Sequence, residues 1–163
     1  MKSQKKNNVK YWFIGIVATV WLSGRLGRKV LKCIETWDVD PTLKKESEFR
    51  KSLAKHIRSK CKSYYVLEED GSERRKVDIS VSNFANASYP FYKKIAIELK
   101  YKLSSNTELD RLVGQVIGYK EHNYYGVIVV SIDPASNYDD LLFKKTEIEG
   151  LEDFLTVVEK FTD

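Results

Sequence analysis

Val77-Asp78-Ile79-Ser80-Val81-Ser82, and then Lys93-Lys94-Ile95-Ala96-Ile97-Glu98-Leu99-Lys100-Tyr101-Lys102-Leu103: the alternation in these two stretches decides the fold. Successive side chains of a strand point to opposite faces. In the first stretch Val77, Ile79 and Val81 share one face, and Asp78, Ser80 and Ser82 share the other. In the second, Ile95, Ile97 and Leu99 oppose Ala96, Glu98, Lys100 and Lys102. Each strand thus turns an apolar face to a core and carries acids on the opposite side. Paired antiparallel, the two bring Asp78 and Glu98 together with Lys100 alongside. Two carboxylates are hard oxygen donors suited to Mg²⁺ or Mn²⁺. A neighbouring lysine can orient an attacking water and offset charge on a phosphate. A half-solvated sheet with cross-strand ion pairs presents the same residue types, so the surroundings have to separate the two readings.

Working outward, Asp40-Pro41-Thr42 is a boundary, because proline disfavours helix at the residue before it. From Leu43 to Ser59 the stripe of Leu43, Phe49, Leu53 and Ile57 predicts an amphipathic helix. Lys62–Glu69, the turn Asp70-Gly71 and Arg74–Ser82 form a β-hairpin pattern. A polar loop covers Asn83–Pro90, and the Glu98-bearing strand follows. A second helix is expected over Glu108–Glu121, with Thr107 and Asp110 spaced as a capping box. Tyr124–Asp133 is a nearly continuous apolar run, as in a strand buried on both faces. Past Pro134 the pattern predicts a loop through Ser136-Asn137 and a closing helix near Leu151–Phe161.

The stretches containing Val77-Asp78-Ile79 and Ile95–Lys100, in this element order, resemble the core of the PD-(D/E)XK nuclease superfamily, which includes restriction endonucleases and Holliday-junction resolvases. The likeness runs from Leu43 to Asp133. It implies an α/β, restriction-endonuclease-like core of helix, three-stranded meander, helix and strand. It also implies a Mg²⁺-dependent deoxyribonuclease with Asp78, Glu98 and Lys100 as its catalytic centre. Val77 stands where the motif has proline. Many members add a glutamate from the first helix to the metal site. Glu46 shares that helix's apolar stripe and is the first candidate, with Glu48 the second. Some members place Gln-x-x-x-Tyr on the helix after the ExK strand, and here Gln115 and Tyr119 fit it, with Arg111 one turn before. The resemblance gives Gln115 a supporting role in catalysis and Tyr119 a contact to substrate. An amphipathic helix with a polar flank would carry the same pair.

Composition agrees with a nucleic-acid partner without requiring one: 28 Lys+Arg against 23 Asp+Glu give a formal net charge of +5. Arg74, Arg75, Lys76, Lys93, Lys94 and Lys102 gather near the two active strands. Of these, Arg74, Arg75 and Lys102, with Arg111 and Tyr119, are the candidate DNA contacts. Tyr64, Tyr65, Tyr124 and Tyr125 fit either base stacking or the core. Two cysteines and two histidines at unrelated positions give no zinc spacing and no disulfide framework. The chain therefore reads as cytoplasmic.

Residues 1–40 form a separate basic and hydrophobic segment ahead of a nuclease-like domain over 41–163. Its apolar run Tyr11–Gly24 would reach about 21 Å as a helix, short of a bilayer core of about 30 Å. A membrane anchor, tethering the chain to the inner face, and a helix packed on the domain both fit it. A homodimer is a further expectation from the resemblance. Two rivals stand beside the nuclease: a catalytically inactive nucleic-acid-binding protein on the same frame, and a membrane-tethered interaction protein.

Overall fold

The structure, a computed structural model, describes residues 11–12, 24–71, 76–84, 92–122, 124–135, 138–151 and 153–162. The elements run β1 (Tyr11–Trp12), α1 (Arg25–Glu35), α2 (Glu46–Lys60), β2 (Tyr65–Asp70), β3 (Val77–Ser82), β4 (Lys94–Tyr101), α3 (Asn106–Glu121), β5 (Gly126–Ile132), α4 (Tyr138–Ile148) and β6 (Leu155–Lys160). The strands make one six-stranded sheet in the order β1-β6-β5-β4-β3-β2. β2, β3 and β4 form an antiparallel meander. β4, β5 and β6 are parallel, and β1 pairs antiparallel with β6. The chain is therefore a mixed α/β protein.

The sheet is covered on both faces, and the alternation of its strands sorts the two cores. Ile79, Val81, Ile95, Ile97, Leu99, Ile128 and Val130 pack with Leu26, Val30 and Ile34 of α1 and Phe49, Leu53 and Ile57 of α2. Ala96, Val127, Val129, Leu155 and Val157 pack with Leu109, Leu112 and Val116 of α3 and Leu142 of α4. Full burial of each such aliphatic side chain contributes about 1.5–3 kcal/mol. The polar face read from β3 is thus not solvated. Ser80 is 2% exposed, and its hydroxyl donates to Asp70 Oδ2 at 2.6 Å.

Four sequence expectations change. The closing helix near Leu151–Phe161 is instead strand β6, parallel to β5, and the helix of this region is α4. Leu151, Leu155 and Val158 fall at helical spacing, but Thr156, Val157 and Val158 are β-branched and favour strand. α3 begins at Asn106, and its cap is Ser105 rather than Thr107. Ser105 Oγ accepts from Glu108 N at 3.2 Å, and Glu108 accepts from Ser104 N at 3.2 Å. α2 begins at Glu46 rather than Leu43. Among the described residues before Asp40, those from Arg25 on are not set apart: α1 and Trp37 lie in the same core as α2. Buried Lys160 of β6 ties down the end of α1, donating to Glu35 O at 2.8 Å and Trp37 O at 2.9 Å. Apart from Tyr11, Trp12 and Gly24, the apolar run lies outside the described residues, as do Arg74 and Arg75. Among the described residues no helix is long and apolar enough to cross a membrane.

Candidate active site

The site lies where β3 and β4 part. Their pairing runs from Ser82–Lys94 to Ile79–Ile97. Past that point a side chain takes over from the ladder: Asp78 Oδ2 accepts from the backbone N–H of Leu99 at 2.9 Å. This fixes the Asp78 carboxylate beside the strand that carries Glu98 and Lys100. Its other oxygen faces Arg50 Nη1 of α2 at 3.5 Å, and Arg50 Nη2 reaches Glu69 at 3.3 Å. Arg50 was missed in the sequence, although its place four residues after Glu46 puts both on one side of the helix.

Glu98 is the most enclosed member, at 2% exposure. Its Oε1 accepts from Lys100 Nζ at 3.1 Å and from Gln115 Nε2 at 2.9 Å. Its Oε2 accepts from the Tyr119 hydroxyl at 2.8 Å. The i, i+4 pair on α3 therefore closes on a single carboxylate. Tyr119, expected at the substrate, is 4% exposed, and its hydroxyl also lies 3.3 Å from Lys76 O. Burial pushes the Glu98 pKa above its ordinary value; Lys100 pulls it back, and the charge of Asp78 adds to the rise. Burial and the Glu98 charge push the Tyr119 phenol upward as well, so it stays a donor. For Lys100 burial opposes the charge, but Glu98, Glu46 and Asp78 together outweigh it and raise its pKa. Lys100 is held protonated.

The two glutamates of α2 separate cleanly. Glu48 accepts from Lys44 N at 3.0 Å and Lys45 N at 3.1 Å, which makes it the helix cap. Glu46 turns to the sheet, with Oε2 3.4 Å from Tyr101 N and Oε1 3.8 Å from Lys100 Nζ. Burial raises its pKa, with Lys100 opposing and Asp78 assisting.

The basic residues divide in the same way. Lys94 is paired with Asp70. Lys93 Nζ lies 4.1 Å from the centroid of the Tyr125 ring. Lys102 sits at φ 57, a left-handed turn that ends the β4 alternation. Its Nζ lies 5.2 Å from the Tyr101 centroid. Exposed Arg111 lines the site, as does Lys76. Tyr65 is 51% exposed on the edge strand, whereas Tyr64 and Tyr124 are half-buried against the cores.

Asp78, Glu98, Lys100, Glu46, Arg50 and Gln115 line a common pocket of about 270 Å³. Two buried polar atoms at this pocket have no hydrogen-bond partner among the described residues, Arg50 Nε and Gln115 Oε1. Among those residues no three acidic, histidine or cysteine side chains are already drawn into one metal cage. The donor set nevertheless fits a hard divalent cation. It is all oxygen, and burial together with the Asp78 charge raises the proton affinity of Glu46 and Glu98. Asp78 and Glu46 also keep lone pairs open, since a carboxylate has about four acceptor positions.

Comparison with known proteins adds little. No family profile matches the chain. No curated protein matches it either. Among solved structures it is similar to Pyrococcus furiosus SfsA in complex with Ca²⁺, at TM-score 0.46 and 11% identity. That alignment covers 71% of this chain and 57% of the other, so the chain spans just over half the length of that structure.

Proposed function

We propose that this chain is a metal-dependent phosphodiesterase that hydrolyses DNA. Its support is one convergence: Asp78, Glu98, Lys100 and Glu46, drawn from two strands and a helix, line one pocket whose enclosed glutamate is held by Gln115 and Tyr119. A solvated sheet face would leave these groups exposed and separately paired. Here Glu98 is buried with three donors, a costly arrangement that a purely structural sheet has no need of.

Asp78 and Glu98, with Glu46 from α2, would hold the ion. A bound divalent cation supplies Lewis-acid polarisation of the scissile phosphodiester. Asp78 is aimed by the Leu99 N–H, and Glu98 by Gln115 and Tyr119, so neither has to reorganise. Lys100, protonated, donates to the attacking water or to a phosphate oxygen and offsets the charge that builds there. Exposed Arg111 stands at the rim to meet an adjoining phosphate, while Arg50 stays paired with Asp78 and Glu69.

The test is cleavage of plasmid, linear duplex, single-stranded and branched DNA with Mg²⁺ or Mn²⁺, comparing wild type, Lys100→Ala and an EDTA control. Cleavage lost both in the variant and with EDTA supports the assignment. A folded wild type that cuts none of these substrates, or a Lys100→Ala protein that cuts equally well, would sink it.

A further inference from the structure

Beside the catalytic pocket runs a second cleft of about 500 Å³, and the sequence motifs do not account for it. Its size lies within the ~300–1,000 Å³ typical of small-ligand pockets. Lys76, Arg111 and Gln115 line both cavities, so the two adjoin. Gln115 stands at the junction with its amide donating to Glu98, while its Oε1 is the buried acceptor without a partner among the described residues. Neither Lys76 nor Arg111 is ion-paired among those residues, so two cations meet at the doorway.

The remaining wall is α3 itself. Gly114 and Gly118 lie on one face of this helix at i, i+4 and border the cleft. Glycine inside a helix is unfavourable relative to alanine. Internal packing gives no reason for it here, since a Cβ at either position would meet nothing within 4 Å. Nor does either glycine have the positive φ that would require one. The missing side chains leave a flat floor, flanked by half-buried Ile117 and Tyr124. Cations at one end and a flat, partly apolar floor beyond suit a phosphate followed by a base.

We propose that this cleft is a nucleotide subsite, seating the unit of a polynucleotide that adjoins the scissile phosphate. Arg111 and Lys76 take the backbone phosphate, and the Gly114–Gly118 floor takes the face of the base. The proposal rests on the phosphodiesterase reading and extends it from the reacting phosphate to the strand.

The experiment is fluorescence anisotropy with a short fluorescein-labelled single-stranded oligodeoxynucleotide, on an Asp78→Asn parent so that bound probe is not cut. Gly118→Leu, which fills the floor, is expected to weaken binding about tenfold. Its melting temperature should be no lower than the parent's, because leucine is the better helix former. Arg111→Ala should reduce the slope of log affinity against log salt by about one, and Lys62→Ala, the same charge loss at the far end of the meander, should leave it unchanged. If Gly118→Leu fails to fold, the Arg111 and Lys62 slopes decide the matter. Parent-like affinity in folded Gly118→Leu, or equal slopes for Arg111→Ala and Lys62→Ala, overturns the subsite, as does a parent that binds no probe. Those results would leave wild-type cleavage, and with it the phosphodiesterase reading, untouched. Conversely, a wild type that cuts no DNA while Gly118→Leu still weakens binding removes the catalysis and keeps the subsite.

Discussion

Replacing Tyr119 by phenylalanine removes one oxygen and leaves the packing in place. The ring is buried between α3 and the sheet, with its centroid 5.5 Å from that of Tyr124. What disappears is the 2.8 Å donor to Glu98 Oε2, with a longer 3.3 Å contact to Lys76 O. Hydrogen bonds to charged groups contribute about 1.5–3 kcal/mol, and Glu98 is too enclosed for water to substitute, so about 2–3 kcal/mol is expected. In a domain of this length that lowers the melting temperature by roughly 4–12 °C. The loss carries a pH signature. Burial and Asp78 hold the Glu98 pKa above its ordinary value, while the Tyr119 hydroxyl draws it down. An acid with a raised folded pKa adds stability below its unfolded pKa, and that stability is lost as pH rises through the folded pKa. Without the hydroxyl this dependence steepens. The deficit of Tyr119→Phe is therefore full above the folded pKa of Glu98 and shrinks as pH falls through it, where a protonated Glu98 no longer needs the donor. Urea unfolding followed by tryptophan fluorescence, over a pH series descending from about pH 8, measures both halves. A deficit that is absent, or constant across the series, would refute the assignment of Tyr119 to the ionised Glu98.

Lys100→Ala and Asp78→Ala should each reduce Mg²⁺-dependent cleavage by about a hundredfold or more, measured on whichever DNA the wild type cuts best. The two α2 glutamates should part company. Glu46→Gln is expected to weaken Mn²⁺ binding in titration calorimetry, while Glu48→Gln leaves it alone and lowers stability by about 1 kcal/mol through the lost cap. Lys160 gives a test independent of catalysis. Burial, only partly offset by Asp38 and Glu35, lowers its pKa from 10.5 to about 8. Between those values the unfolded chain holds a proton that the folded chain has released, so stability rises with pH across the window by up to about 3 kcal/mol. That rise should be missing from Lys160→Met in denaturation curves taken alongside the wild type.

Much of the fold was legible because its cause is local. The alternation of Ile79–Ser82 and Ile95–Leu99 follows from strand geometry alone, although Val77, expected beside Ile79 and Val81, packs in the opposite core; Asp78, Glu98 and Lys100 line one pocket. The unbroken apolar run of β5 announced a strand buried on both faces, and the i, i+4 spacing of Gln115 and Tyr119 set them on one side of a helix. β6 was not legible, because a parallel strand is chosen by its partner across the sheet. Leu151, Leu155 and Val158 satisfy a helical period just as well as the strand they join. The β-branched run Thr156-Val157-Val158 was the available signal.

At the site, the sequence alone determined which residue types could do the chemistry and which strands and helix present them. Spacing could not decide what each side chain faces. Glu46 and Glu48 lie two residues apart on one helix turn, yet one reaches the sheet and the other closes the helix end. Tyr119 fits a substrate contact in the motif, and only the packing of α3 against β4 turns its hydroxyl to Glu98. Arg50 and the floor at Gly114 and Gly118 gain meaning only from neighbours distant in sequence. The physical reason is the same in each case: backbone periodicity is set by neighbouring residues, whereas burial, pKa and hydrogen-bond partners depend on which distant elements the core brings into contact.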